Sequence, residues 1–205
     1  TPDRVVQFGR AFATYIGGGN VVVGVDARPS GKFISEAVIA GLTSSGANVY
    51  DYGIMPTPIL QWIVRHSDFD GGVSITAGHN SFSWNSLIFL TSDGSYLNHI
   101  QGDEFFNLHH SGDFEERAFN KLGSYCKTAN YLEEYFNALR LKNDTGGRKL
   151  KFVIDCANGF PSTVVHHLSD ALGIHGVPIF CSEDGFMEKD PEPSIENAAF
   201  LGTFV

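Results

Sequence analysis

NVVVGVDARPSG, residues 20–31, is the stretch on which the fold turns. Val21, Val22, Val23 and Val25 form a short apolar run with no apolar/polar alternation, the pattern of a strand covered on both faces, as strands of parallel sheets are. The run ends in the polar loop DARPSG, and a helical pattern follows from about Lys32 to Ser45. Strand, loop and helix in that order form half of a right-handed crossover unit.

The pattern repeats outward from this unit. On its amino side, TPDRVVQFGRAFATYI reads as an amphipathic helix, with Thr1 placed to cap, Pro2 at the first helical position, Asp3 in the first turn, and Val5, Phe8, Phe12 and Ile16 at helical spacing. On its carboxyl side come the strand ANVYDYG (47–53), a helix over 57–66 and the strand GGVSIT (71–76). Strand and helix alternate, which predicts an α/β fold: three layers, α/β/α, around a mostly parallel sheet. After residue 85 the pattern changes. SLIFLTSDGSYL predicts two strands joined through Ser92-Asp93-Gly94, a hairpin that makes the sheet mixed at one edge. A polar helix over 100–109 and a helix over 129–141 follow. KNDTGGRK (142–149) reads as a linker, and KFVIDCANG opens a fresh strand, loop, helix and strand cycle. That single cycle is too little for an independent core, so the polypeptide is expected to be cut off at Val205.

Composition narrows the function. The chain has 205 residues, 42% hydrophobic and 18% charged, enough for a sizeable core. Its net charge is -9, and its 14 Lys and Arg contain no run of four, so it lacks the footprint of a nucleic-acid or anionic-membrane binder. A small-molecule partner is expected. No segment approaches a membrane span and none reads as a signal peptide, which predicts a cytoplasmic protein. Cys126, Cys156 and Cys181 are odd in number and lack metal-binding spacing; three buried thiols are the expectation, with no metal site among them.

In a parallel sheet ligands collect beyond the carboxyl ends of the strands, and three loops leave those ends. In DARPSG, Arg28 suits a bidentate contact either with phosphate or with the neighbouring Asp26, the second being a brace within the loop. In TAGHN, Thr76, His79 and Asn80 bring hydroxyl, imidazole and amide groups beside Gly78, a set able to hold a phosphoryl oxyanion or relay a proton. In DCANGFPS, Asp155 ends a strand and Asn158-Gly159 supplies a tight turn before a helix begun near Pro161, a chiefly architectural arrangement.

The order GVDARPSG, GANVYDYGIMPTP, GGVSITAGHN with WNSL, VIDCANG and DPEP resembles the α-D-phosphohexomutases, the family of phosphoglucomutase, phosphomannomutase and phosphoglucosamine mutase, and WNSLIFLTSDGSYL looks most like bacterial phosphoglucosamine mutases. The resemblance implies four domains in a complete member, with residues 1–127 corresponding to domain I without its opening strand and 128–205 to part of domain II. It implies intramolecular phosphotransfer on hexose phosphates, in which an enzyme phosphoserine donates and recovers phosphate beside Mg2+. Carried over residue by residue, it places Gly78 at the phosphoserine, His79 beside it among the catalytic positions, Arg28 near the phosphate, and Thr76, Asn80 and Ser81 in the phosphate-binding loop.

The departures are chemical. Gly78 has no oxygen to phosphorylate, Ser81 stands where the family has proline, and Ile88 stands where it has a lysine proposed for acid/base catalysis. The magnesium loop DGDGDR does not occur in the chain. The implied reading is a phosphohexomutase-family chain without catalytic competence of its own; the alternative is a pseudoenzyme domain that binds a sugar phosphate or a protein partner through Arg28, His79 and Asn80. Ser81 or Ser83 would serve as substitute nucleophile only if its hydroxyl reached the same point, since a displacement of about 1 Å costs about a hundredfold in rate. A generic nucleotide-binding or phosphatase domain ranks last, because no GxGxxG, Walker or DxDxT motif is present.

Overall fold

The computed structural model describes residues 1–81, 83–128, 132–142, 151–182, 186 and 192–204. It divides into two compact units, one of Thr1–Val25, Ser30–Thr76 and Ser86–Ala129, the other of Asp26–Pro29, Ala77–Asn85 and Asn130–Val205.

The first unit holds a five-stranded mixed, mostly parallel sheet with helices on both sides. In chain order its elements are α1 (Pro2–Tyr15), β1 (Gly19–Val25), α2 (Gly31–Ser44), β2 (Ala47–Ile54), α3 (Thr57–Arg65), β3 (Gly71–Ile75), β4 (Leu87–Leu90), α4 (His99–Ser111) and β5 (Tyr125–Lys127). The strand order is β4-β3-β1-β2-β5, antiparallel only between β3 and β4. The valines of β1 divide by parity. Val21, Val23 and Val25 enter one core with Phe12, Val38, Leu42, Val49, Val73, Ile75 and Phe105, whereas Val22 points to the other face. On that face the α3 residues Leu60, Ile63 and Val64 are fully or almost fully buried. Burying side chains of this size contributes about 1.5–3 kcal/mol each, so the valines of β1 stabilise both layers at once. Helices α1 and α2 cross closely where two glycines meet: a Cβ on Gly9 would stand 2.6 Å from the Val38 carbonyl oxygen, and one on Gly41 2.3 Å from that of Val6.

Several expectations need correction. Thr1 makes no side-chain cap on α1, although Pro2 takes the first helical turn as predicted. The hairpin over 86–97 reduces to β4 and a single Leu90–Tyr96 bridge. Its turn forms, with the Thr91 amide donating to the Ser95 carbonyl at 2.9 Å and Asp93 accepting from the Ser95 amide at 3.0 Å. There is no room for a second strand, because Asn98 two residues on caps α4 in a reciprocal capping box with Gln101. α4 is less polar than its sequence suggests, since Phe105 is buried among Phe8, Phe12 and Phe89. Strand β5 was not expected; all three of its residues are exposed, and it is held by pairing with β2 at the sheet edge.

The second unit contains α5 (Leu132–Lys142), β6 (Lys151–Asp155), α6 (Pro161–Leu172), β7 (His175–Ile179) and a short helix α7 (Ile195–Ala198). β6 and β7 pair in parallel, and Phe136 of α5 packs with Val164 and Ala171 of α6. The expected linker lies outside the described residues except for Lys142, as do Asp190 and Pro191 of DPEP. The turn after β6 lies one residue earlier than expected: Ala157 and Asn158, rather than Asn158-Gly159, take left-handed backbone at φ 51° and 50°. Asn158 adopts this conformation readily, and its side chain is used on both ends, donating to the Phe186 carbonyl at 2.7 Å and accepting from the Ser182 amide at 3.1 Å. The cysteines are not uniformly buried. Cys156 is, whereas Cys126 and Cys181 are exposed, each just beyond or within a strand at a sheet margin.

Candidate functional site

β1 and β3 are adjacent parallel strands, so the segments that follow them, 26–29 and 77–85, leave from the same end of the sheet. Both segments belong to the second compact unit. Asp26 accepts the Arg28 amide at 3.1 Å on Oδ1 and Arg28 Nε at 2.9 Å on Oδ2, which fixes the guanidinium before anything else touches it. The remaining guanidinium donors go to carbonyls of the 77–85 loop: one terminal nitrogen to Ser81 at 2.7 Å and Trp84 at 3.4 Å, the other to Gly78 at 2.8 Å and Asn80 at 2.6 Å. Five N–H groups thus meet five oxygens. Of the two roles open to Arg28 in the sequence, the brace describes what its donors do, and its side chain is only 5% exposed.

The loop adds bonds of its own. The Asn80 amide and side-chain nitrogen both donate to the Ala77 carbonyl, at 3.1 and 2.7 Å, and the Trp84 amide donates to Ser81 at 3.1 Å. Ser81 and Ser83 share a hydroxyl–hydroxyl bond of 2.9 Å. Gly78 sits at the apex with φ +58°, and a Cβ there would meet nothing within 4 Å. His79 Nε2 lies 3.2 Å from a Glu192 carboxylate oxygen, with both side chains more than half exposed. Glu192 was missed as a partner of the loop, although the DPEP motif that contains it had been singled out.

Arg28, Gly78, His79, Asn80 and Ser81 are therefore brought together. Thr76 falls in the first unit, where its amide donates to the Ser86 carbonyl at 3.2 Å and its carbonyl accepts the Ser86 hydroxyl. Ile88 lies in β4 opposite Ser74 and is half-buried. Among the described residues no group of three or more His, Cys, Asp or Glu side chains is placed to hold a metal ion. Likewise, none of the described helices is long and apolar enough to cross a membrane.

This architecture has known counterparts. Residues 1–115 match the family model of the phosphoglucomutase/phosphomannomutase alpha/beta/alpha domain I. The chain belongs to the phosphoglucomutase/phosphomannomutase family. It is 33% identical over 209 residues to a Thermococcus kodakarensis protein named "Probable phosphoglucosamine mutase", covering 100% of this chain and 45% of that protein. It is 34% identical over 206 residues to the phosphoglucomutase/phosphomannomutase of the same organism, covering 96% and 45%. The crystal structure of a phosphoglucomutase/phosphomannomutase family protein from Burkholderia thailandensis superposes with a TM-score of 0.83 at 26% identity, covering 98% of this chain and 45% of that one. The chain thus spans about 45% of the length of the curated relatives it matches.

Proposed function

We propose that this chain is the part of a phosphohexomutase-family protein that presents a hexose phosphate to the 77–85 loop, and that the loop binds phosphate without taking it up covalently. The observation that carries this reading is Gly78: it stands at the apex of a loop clamped by Arg28, with open space where a Cβ would be and no side-chain oxygen. A phosphoserine cycle needs a hydroxyl at that point. In this reading Arg28 and Asp26 hold the loop in shape, while the exposed Asn80 and Ser81 offer an amide and a hydroxyl to phosphate oxygens. The exposed His79, its Nε2 3.2 Å from a Glu192 carboxylate oxygen, brings an imidazole to the same loop. In this reading residues 1–127 serve as domain I and 128–205 as part of domain II, the loops 26–29 and 77–85 being the parts of domain I that group with the second compact unit.

The family's Mg2+ would offset charge at a transferring phosphoryl group, but the described residues do not furnish its ligand set. No step here runs through it. A metabolic role on hexose phosphates places the protein in the cytoplasm, with no nucleic acid or membrane partner and with any further domains of the complete polypeptide as its closest associates.

The test is a coupled mutase assay on the complete polypeptide with Mg2+ and a hexose bisphosphate, offering glucose, mannose and glucosamine phosphates in turn, alongside calorimetric binding of the same sugars. Binding without turnover is expected. Turnover above background would overturn the non-covalent reading, and neither binding nor turnover would favour a domain that recognises a protein partner.

A further inference from the structure

Two of the three cysteines are neighbours in space. β6 and β7 run parallel with Asp155 opposite Ile179, so one step further Cys156 stands beside Phe180, one residue from Cys181. Beyond Ile179 the chain turns at Phe180, and it leaves the Cys181 side chain within hydrogen-bonding reach of the Cys156 side chain. The Ile179 carbonyl ties the two together: it accepts the Cys156 amide at 2.9 Å and the Cys181 thiol at 3.5 Å. The segments on either side are fixed to each other as well, by the Asn158 amide donating to the Phe180 carbonyl at 2.7 Å and the Ser182 amide donating to Asn158 Oδ1 at 3.1 Å. Phe180 is held at φ 53° between Ile179 and Cys181, a left-handed conformation that re-aims the chain as it leaves β7.

We propose that Cys156 and Cys181 are a redox pair, closing to a disulfide under a hydroperoxide oxidant and reopening with a dithiol, and so stapling the segment after β6 to the segment after β7. The two thiols differ in exposure, which sets the order in which they react. Cys181 is exposed and reaches the oxidant, whereas Cys156 is buried. Burial first, then the hydrogen bond and charge interaction with Cys181, push the Cys156 thiol up to about 12. Cys181 as thiolate attacks one peroxide oxygen; the O–O bond breaks, the sulfur is oxidised to a sulfenic acid, and the other oxygen leaves as water after taking a proton. The Cys156 sulfur then attacks the sulfenic sulfur. The S–O bond breaks, the hydroxyl leaves as a second water with the Cys156 proton, and the S–S bond forms. With hydrogen peroxide, two thiols and one peroxide thus give one disulfide and two waters; an alkyl hydroperoxide would release its alcohol in place of the first water. A dithiol reverses the change by exchange, its own sulfurs becoming the disulfide.

The experiment is hydrogen peroxide treatment of the folded chain, followed by a free-thiol count and a non-reducing peptide map. The count is expected to fall from the three free cysteines to Cys126 alone, with a linked peptide pair carrying Cys156 and Cys181 at a mass lower by two hydrogens, and to return to three with dithiothreitol. Cys126→Ser should leave the linkage intact. Cys156→Ser should leave Cys181 as a persistent sulfenic acid trapped by dimedone. Cys181→Ala, a change at an exposed position, should leave Cys156 unoxidised at the same peroxide dose. A Cys181 that passes directly to sulfinic acid while Cys156 stays reduced, or a disulfide between chains through Cys126, would overturn the proposal.

Discussion

Replacing Arg28 by Met removes the clamp on the 77–85 loop while keeping most of the buried stem. Hydrogen bonds to a charged group contribute about 1.5–3 kcal/mol each. The four guanidinium contacts shorter than 3 Å, to Asp26, Gly78, Asn80 and Ser81, therefore total roughly 6–12 kcal/mol before water is considered. Much of that is returned, because residues 78–81 are exposed and their carbonyls rehydrate once released. The Asp26 side chain, 22% exposed against 5% for Arg28, also regains part of its hydration. The net cost should be about 3 kcal/mol, the low end for removing one partner of a buried ion pair. It should appear mainly as local opening, because most of the loop's residues are exposed and Arg28 supplies its long-range bonds. The assay is native-state hydrogen exchange at the Asn80 and Trp84 amides, which donate to Ala77 and Ser81; about 3 kcal/mol corresponds to acceleration on the order of a hundredfold. Arg28→Lys should recover less than half of this, because an ammonium keeps the charge but lacks the planar fork. Exchange at both amides within twofold of wild type in Arg28→Met would refute the reasoning.

Other expectations concern packing, backbone and protonation. Gly41→Ala should cost about 2–4 kcal/mol in urea unfolding, because its Cβ would meet the Val6 carbonyl at 2.3 Å and α1 must move away from α2; a loss under 0.5 kcal/mol would mean that the crossing is looser than described. Gly78→Ser should fold, at a cost of about 1 kcal/mol for a non-glycine residue at left-handed φ and with no steric penalty; a loss several times larger would show that the apex is crowded. His109 stacks on Phe8 at 3.9 Å, its ring nitrogens find no hydrogen-bond partner among the described residues, and burial, then His110 and Arg4, hold its pKa below the usual histidine value. The folded state thus binds fewer protons, so the contribution of His109 is complete above the unfolded value of about 6.5 and is lost as pH falls below it. His109→Phe should flatten the fall in stability between about pH 6.5 and 5, and an unchanged pH profile would remove His109 from the account.

The parts of the fold that were legible in the sequence are those in which one signal dominates. The apolar valines of β1, interrupted only by Gly24, require cover on both faces and receive it, and the polar loops after β1 and β3 mark the candidate site by composition alone. The parts not legible depend on partners distant in sequence. β5 carries no apolar run because its exposed residues are held by backbone pairing with β2 and by the Tyr125 hydroxyl donating to Asp51. The second hairpin strand lost its residues to the Asn98 cap, and the left-handed residue after β6 proved to be Ala157 as well as Asn158, through contacts with residues more than twenty positions away. At the site, DARPSG left open whether Arg28 meets phosphate or braces its own loop. The carbonyls that decide it lie some fifty residues further on, where no pattern announces them. His79 and Glu192 met for the same reason: their motifs were visible, but their contact is a property of the folded chain.

The central claim is that the loop around Gly78 does not take phosphate covalently. The most direct measurement is incubation of the complete polypeptide with Mg2+ and a radiolabelled hexose bisphosphate, followed by acid quench and phosphopeptide mapping. The account predicts no acid-stable label in the peptide covering residues 76–86. Near-stoichiometric label on Ser81, Ser83 or Ser86 would contradict it and would identify the hydroxyl that has taken over from the missing serine.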